Sequence, residues 1–154
     1  MRANTSSSGD WASIDGDGFW FLHGRSDDTL NIAGKRIGPA EVESAVVAHP
    51  DVVMAAAIGV PHPVKGEAIA VYAVTLGTPD DAGELARTLS DEVVASLGKA
   101  FRPIAVRLVD DLPRTRSAKI MRRVVRARAL GEDTGDLTSL ENPTAMETID
   151  RLDL

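Results

Sequence analysis

Val52-Val53-Met54-Ala55-Ala56-Ala57-Ile58-Gly59-Val60, Pro61-His62-Pro63-Val64-Lys65-Gly66-Glu67 and Ala68-Ile69-Ala70-Val71-Tyr72-Ala73-Val74-Thr75-Leu76 are read together as the stretch that decides the fold. The first and third runs are β-rich and apolar almost without interruption, and the polar middle carries two prolines and a glycine. A strand with one wet face alternates, whereas near-continuous apolar character predicts strands covered on both faces. Helices must therefore flank them.

Helical signals stand on either side. Toward the amino terminus, Gly38-Pro39-Ala40-Glu41-Val42-Glu43 is a helix start, with Pro39 at the first helical position and two acids near the positive dipole end. Val42, Ala45 and Val46 give it one apolar face, and it should stop by His49 because Pro50 follows. Toward the carboxy terminus, Thr78-Pro79-Asp80-Asp81 opens a second helix with a cap, a first-position proline and further acids. Leu85, Leu89, Val93 and Leu97 step down one face of it, and Gly98 stops it. Ile104 to Val109 is a third core strand.

Upstream, Asp15-Gly16-Asp17-Gly18 is a turn signal before the short apolar strand Phe19-Trp20-Phe21-Leu22. Gly24-Arg25-Ser26-Asp27-Asp28 breaks that run, Thr29 to Ile32 alternates, and Ala33-Gly34-Lys35-Arg36 turns the chain, which predicts a small hairpin with polar, glycine-bearing tips. Beyond Leu130 an acidic linker, Gly131 to Asp136, leads to Asn142-Pro143, which caps a short terminal helix carrying Met146, Ile149 and Leu152. The expected class is α+β: a small β-hairpin followed by a compact three-stranded sheet packed with helices.

The segment richest in chemistry is Leu112-Pro113-Arg114-Thr115-Arg116-Ser117-Ala118-Lys119-Ile120-Met121-Arg122-Arg123. Pro113 fixes one backbone angle and holds Leu112 extended, so the strand before it ends in a basic loop. Ile120, Met121, Val124 and Val125 recur at helical spacing, which places Lys119 where loop enters helix. A compact ammonium there suits an anionic oxygen whose charge changes during reaction. Basic residues on such a helix are ordinarily just a solvated face.

Bulk composition narrows the classes. The 154 residues are 44% hydrophobic and 4% aromatic, with a formal net charge of -6, so attraction to a phosphate backbone is weak or repulsive and no nucleic-acid role is expected. Without cysteine there is no disulfide framework, thiolate nucleophile or Cys-based zinc site, which fits a cytoplasmic location. His23, His49 and His62 lack metal-ligand spacing, so no metal site is expected. The polar start has no apolar core of a secretory signal, and no run is long enough to span a membrane.

Taken in order, Ser8-Gly9-Asp10-Trp11-Ala12, the run Gly24 to Glu43 and the run Leu112 to Arg123 resemble the carboxy-terminal part of the adenylate-forming acyl-CoA synthetases. The resemblance extends to the tail, Gly135 to Pro143, and is nearest the acetyl-CoA and propionyl-CoA branch. It implies an acid-thiol ligase that joins a carboxylate to the α-phosphate of ATP, then passes the acyl group to coenzyme A. On it Lys119 corresponds to the catalytic lysine of adenylation and Asp27 to the hinge of a rotating lid. Asp10, Arg25 and Arg36 correspond to nucleotide-binding positions, and Gly34 to the glycine that lets the hairpin backbone approach coenzyme A.

The resemblance further implies ATP or AMP and coenzyme A at a shared site. Mg²⁺ is expected with ATP, although no ligands for it are identified in this chain. Residues 1–14 correspond to the remnant of a junction, 15–130 to the lid domain, and 131–154 to an acidic linker and terminal helix. The partner is a large amino-terminal adenylation domain, in cis or in trans, with a carboxylic acid as substrate; without that domain the chain is expected to be inactive. Two departures stand out: Ser8 replaces the usual threonine, and Ala118 stands where many members carry glycine, which stiffens the catalytic loop. The alternative is a non-catalytic binding or regulatory module that keeps the fold, with its lysine as an acetylation target.

Overall fold

In the computed structural model, residues 10–14, 20–25 and 29–154 are described, with side chains from residue 29 onward. The apolar stretch forms the centre of a sheet. Strands β5 (Val52–His62) and β6 (Gly66–Thr75) pair antiparallel over their length, from Val52 opposite Thr75 to His62 opposite Gly66. Each continues into the expected polar separator, leaving a turn of only Pro63, Val64 and Lys65.

Both faces of this pair are buried, as the unbroken apolar pattern requires. Ala55, Ala57, Ile69, Val71 and Ala73 face helices α1 (Pro39–Val47) and α2 (Ala82–Leu97), packing with Val42, Val46, Leu85, Leu89 and Val93. Ala56, Ile58, Val60, Ala68, Ala70 and Tyr72 face the other way, against Leu112, Val125, Ala129, Ile149 and Leu152. Alanines on facing strands leave room for helices to approach closely.

The remaining strands are peripheral. Strand β7 (Ala105–Val109) runs parallel to β6 as an edge strand, half-buried rather than a core element, and Ile104 before it is 42% exposed. Strands β3 (Leu30–Ile32) and β4 (Lys35–Ile37) form a tight hairpin joined to the start of β6 by Ile32 opposite Gly66. Ala33 (φ 52°) and Gly34 (φ 82°) both occupy the left-handed region, the conformation of a type I′ turn. The hairpin lies close over β5 because Gly59 has no side chain: a Cβ there would stand 2.9 Å from Leu30 Cδ2 and 2.7 Å from Glu67 Oε1. Glu67 in turn accepts a hydrogen bond from the Asn31 backbone at 2.9 Å.

Upstream, β1 (Asp10–Ile14) and β2 (Trp20–Arg25) form a two-stranded antiparallel ribbon. Strand β1 was not anticipated, and β2 runs through Gly24 instead of breaking before it. The expected Asp15–Gly18 turn lies outside the described residues.

Helix ends also differ in detail. Helix α1 starts at Pro39 and closes before His49 as expected, but α2 is capped by Asp81, whose Oδ1 accepts from the Glu84 backbone at 2.9 Å. Asp81 and Glu84 have the three-residue spacing of a cap, so Thr78 and Pro79 fall outside the helix. Helix α3 spans Arg122–Leu130, and the terminal element, Pro143–Thr148, is a 3₁₀ helix. Asn142 does not cap it. Among the described residues no helix is long and apolar enough to cross a membrane.

Strand β5 has an open edge, and charged side chains cover it. Glu43 of α1 accepts from the Ala57 backbone at 3.0 Å and is gripped by Arg122 of α3 through two bonds of 2.6 Å. Arg126 donates to the Gly59 carbonyl at 2.9 Å. Because Glu43 and Arg122 side chains are only 12% and 27% exposed, water replaces the lost partner poorly. Glu43→Ala should lower unfolding free energy by about 2–3 kcal/mol in urea titration, and Glu43→Gln by roughly half that.

Tyr72 is fully buried and donates to the Asp150 carbonyl at 2.9 Å. Burial pushes its phenol up to about 12 from 10.0, Arg107 opposing and Asp150 adding to the shift. The folded chain thus keeps a proton that the unfolded chain has lost, so stability present below pH 10 should fall as pH rises through 12, by about 2–3 kcal/mol. Tyr72→Phe should remove that slope from alkaline denaturation curves.

Candidate functional site

The basic segment does not enter a helix at Lys119. It forms a hairpin first. Arg114 pairs antiparallel with Ile120, the Thr115 N–H donates to the Lys119 carbonyl at 2.9 Å, and the Met121 N–H donates to the Pro113 carbonyl at 2.8 Å. Met121, at φ -89° and ψ 77°, redirects the chain before α3 begins at Arg122. The helical spacing of Ile120 and Met121 misled because Ile120 packs on the same side as Val125 from a strand-like arm.

At the tip, the Ala118 N–H donates to the Thr115 carbonyl at 2.9 Å, and the Thr115 hydroxyl accepts from the Lys119 backbone N–H at 3.2 Å and lies 3.0 Å from the Ser117 hydroxyl. Ala118 adopts φ 64°, which explains why glycine suits this position: a tight turn followed by a left-handed residue closes the hairpin. The side chain of Lys119 is exposed. Its arginine neighbours are engaged, Arg114 with Asp111 at 3.5 Å and Arg116 with Glu141 at 3.3 Å. The Lys119 ammonium makes no hydrogen bond or ion pair among the described residues.

The base of this hairpin is held by the tail. Asn142 Oδ1 accepts from the Arg114 backbone at 2.8 Å, while its Nδ2 donates to Asp111 Oδ2 and the Leu112 carbonyl, both at 2.9 Å. The Glu141 N–H donates to the Arg114 carbonyl at 2.9 Å, and Leu140 pairs with Thr115. Arg123 donates to the carbonyls of Thr134 and Asp136, fixing the acidic segment that precedes the tail. In sequence, Asn142 carried only a helix-cap signal; its partners lie 28 to 31 residues upstream, which no local spacing reveals.

The other expected positions separate into two groups. Gly34 and Arg36 stand together on the exposed β3–β4 hairpin. Nothing lies within 4 Å of a Cβ built on Gly34, so within this chain the glycine answers the positive φ of its turn; the space beside it is open. Asp10 and Arg25 are directly opposite each other at one end of the β1–β2 ribbon, their side chains lying outside the described part. Asp27 lies outside the described residues. The Gly34 hairpin adjoins the start of β6, whereas Asp110 and Asp111 leave the sheet after Val109, which is paired with Val74 near the end of β6.

A groove beside α3 is lined by Thr29, Gly59, Glu67, Arg122, Arg126 and Glu132 among others. Its arginines serve the fold, since Arg122 binds Glu43 and Arg126 binds the Gly59 carbonyl and Glu132. Among the described residues no group of three or more His, Asp or Glu is placed to hold a metal ion.

The family model "AMP-binding enzyme C-terminal domain" matches residues 41–119, from the acid beside the α1 start to Lys119 itself. An acetyl-coenzyme A synthetase of Methanothrix soehngenii is 48% identical over 144 residues, which take in 94% of this chain and 21% of that protein. A 3-hydroxypropionyl-coenzyme A synthetase of Sulfurisphaera tokodaii is 45% identical over 141 residues, 92% of this chain and 21% of that protein. The crystal structure of ATP-bound MatB from Rhodopseudomonas palustris superposes with a TM-score of 0.68 at 33% identity, over 77% of this chain and 23% of that one. The chain thus spans about a fifth of the length of the curated relatives it matches.

Ala118→Gly should raise stability by roughly 0.5 kcal/mol in urea titration. Relief of the left-handed alanine, about 1–2 kcal/mol, is partly offset by the greater freedom of glycine in the unfolded chain, about 0.4–1 kcal/mol. A loss exceeding about 1 kcal/mol would mean that Ala118 is not held in that conformation.

Proposed function

The chain belongs to the AMP-binding enzyme C-terminal domain family, and on that premise we propose that it is the mobile lid of an AMP-forming acyl-CoA synthetase. The whole enzyme would join a carboxylic acid to the α-phosphate of ATP and then transfer the acyl group to coenzyme A. The observation that carries this reading is Lys119: an exposed ammonium at the tip of a braced hairpin, with no partner among the described residues.

Adenylation gathers negative charge between the attacking carboxylate and the transferring phosphate. A cation already in place stabilises that charge at no further reorganisation cost, by about 3–4 kcal/mol for one key donor. Arg36, exposed on β4, adds a guanidinium for nucleotide phosphate, and by the family resemblance Asp10 would bind the ribose hydroxyls and Arg25 the nucleotide near the domain junction. The open space at the Gly34 turn leaves room for the coenzyme A arm. Rotation about Asp27 would exchange the Lys119 hairpin for the Gly34 hairpin between the two steps. Mg²⁺ would arrive with ATP, its ligands coming from the phosphates and the large amino-terminal domain, which acts in cis or in trans. The absence of cysteine supports a cytoplasmic setting.

Mixing this chain with a matching large domain and measuring acid-dependent AMP release tests the proposal. Lys119→Ala should slow adenylation by about 100-fold or more, while thioester formation from preformed acyl-adenylate stays within a few-fold. Adenylation that proceeds unchanged without the lysine would remove its catalytic role.

A further inference from the structure

We infer that Asn142 is a positioning residue for Lys119, and that segment 140–152 acts as a strap holding the lysine hairpin in one orientation on the sheet. This rests on the role proposed for Lys119, but its structural half stands apart from it.

Buried Leu112 anchors the hairpin's root in the outer core, and the hairpin's own backbone bonds close the loop on itself, so the polar groups of Asp111 to Arg114 are fixed from outside. Asn142 does so with one side chain, accepting from the Arg114 N–H and donating to both the Leu112 carbonyl and Asp111 Oδ2. Such a planar amide, engaged at both ends, resists displacement along either direction of the root strand. Thr148 adds a bond from its hydroxyl to the Asp111 carbonyl at 3.0 Å.

The strap is itself tied to the core. Ile149 and Leu152 are buried on the outer sheet face, Tyr72 donates to the Asp150 carbonyl, and the Leu152 N–H donates to the Ala129 carbonyl at 2.9 Å. Sheet, strap and hairpin root therefore form one continuous bonded path, and Lys119 lies at its end. Freed at Asn142, the hairpin would pivot about Leu112 and Met121, and the ammonium would sample many positions.

Amide hydrogen exchange on the intact chain reads this directly. In Asn142→Ala, protection at Arg114, Thr115 and Met121 should fall at least 10-fold while amides of β5 and β6 keep theirs. Thr148→Val removes only the strap's hydroxyl bonds, among them that to the Asp111 carbonyl, and should give an intermediate loss; it carries the test if the alanine variant loses protection everywhere. With a matching large domain, the same variants should lower kcat for adenylation about 10-fold with little change in KM for ATP, and leave thioester formation unchanged. Exchange within 2-fold of the parent in both variants would overturn the strap. Faster exchange with unaltered adenylation would overturn the positioning role if Lys119→Ala is slow; if Lys119→Ala is also unaltered, the function proposed for Lys119 fails and the strap stands.

Discussion

A sheet that buries both faces has its weakness at the edge, and here Glu43, with Arg126 on the Gly59 carbonyl, covers it. Glu43 reaches from α1 to the Ala57 N–H on the open side of β5, and Arg122, the first residue of α3, grips the same carboxylate. One ion pair thereby joins the inner helix layer, the edge strand and the outer helix. An unpaired edge amide in this position would be a template for another strand, and covering it with charge is a general protection. Arg122 is the first residue of α3, so the ion pair ties that end of the helix to α1.

Two kinds of stiffness coexist in the hairpins that carry the candidate chemistry. The Gly34 turn is stiff because its backbone has one compatible conformation, with Ala33 accepting a left-handed angle that costs about 1–2 kcal/mol. The Lys119 turn accepts a similar angle at Ala118 and is braced from outside by the tail. Strain at both tips is consistent with sites selected for position ahead of local stability. Neither tip borrows its order from the other, since one adjoins the start of β6 and the other follows the strand that ends beside Val74.

What was legible in the sequence followed from local physics. The unbroken apolar runs at 52–60 and 68–76 specified a two-sided sheet, and Pro39 and Pro50 bracketed α1 closely. Leu85, Leu89 and Val93 named the buried face of α2. Failures came where a local signal had a competitor, in one case nearby and in the others far along the chain. Thr78-Pro79 is a sound helix start, but Asp81 with Glu84 formed the better cap. Asn142-Pro143 is also a sound start, but the amide found three partners at the hairpin root instead. Ile120 and Met121 matched a helical stripe because a strand-like arm and the following helix bury residues on the same side. Glu43 read as a dipole-matched acid, but only Glu41 lies in the first turn of α1; Glu43 instead binds Arg122, 79 residues away.

A charge acts on a reacting group only as well as it is held. At about 4 Å and an effective dielectric near 20, an ammonium and an oxyanion attract by roughly 4 kcal/mol, and doubling the distance halves that. A lysine side chain is flexible, so the loss must be limited by its backbone, and here the backbone is locked by a turn, a ladder and the Asn142 amide. The consequence for motion is direct. If the root of the hairpin cannot shift relative to the sheet, Lys119 can be withdrawn from a pocket only by moving the whole sheet with it. On the lid reading, exchange between its hairpin and the Gly34 hairpin would then be a rigid-body rotation, with Asp27, upstream of both in the chain, as the proposed hinge.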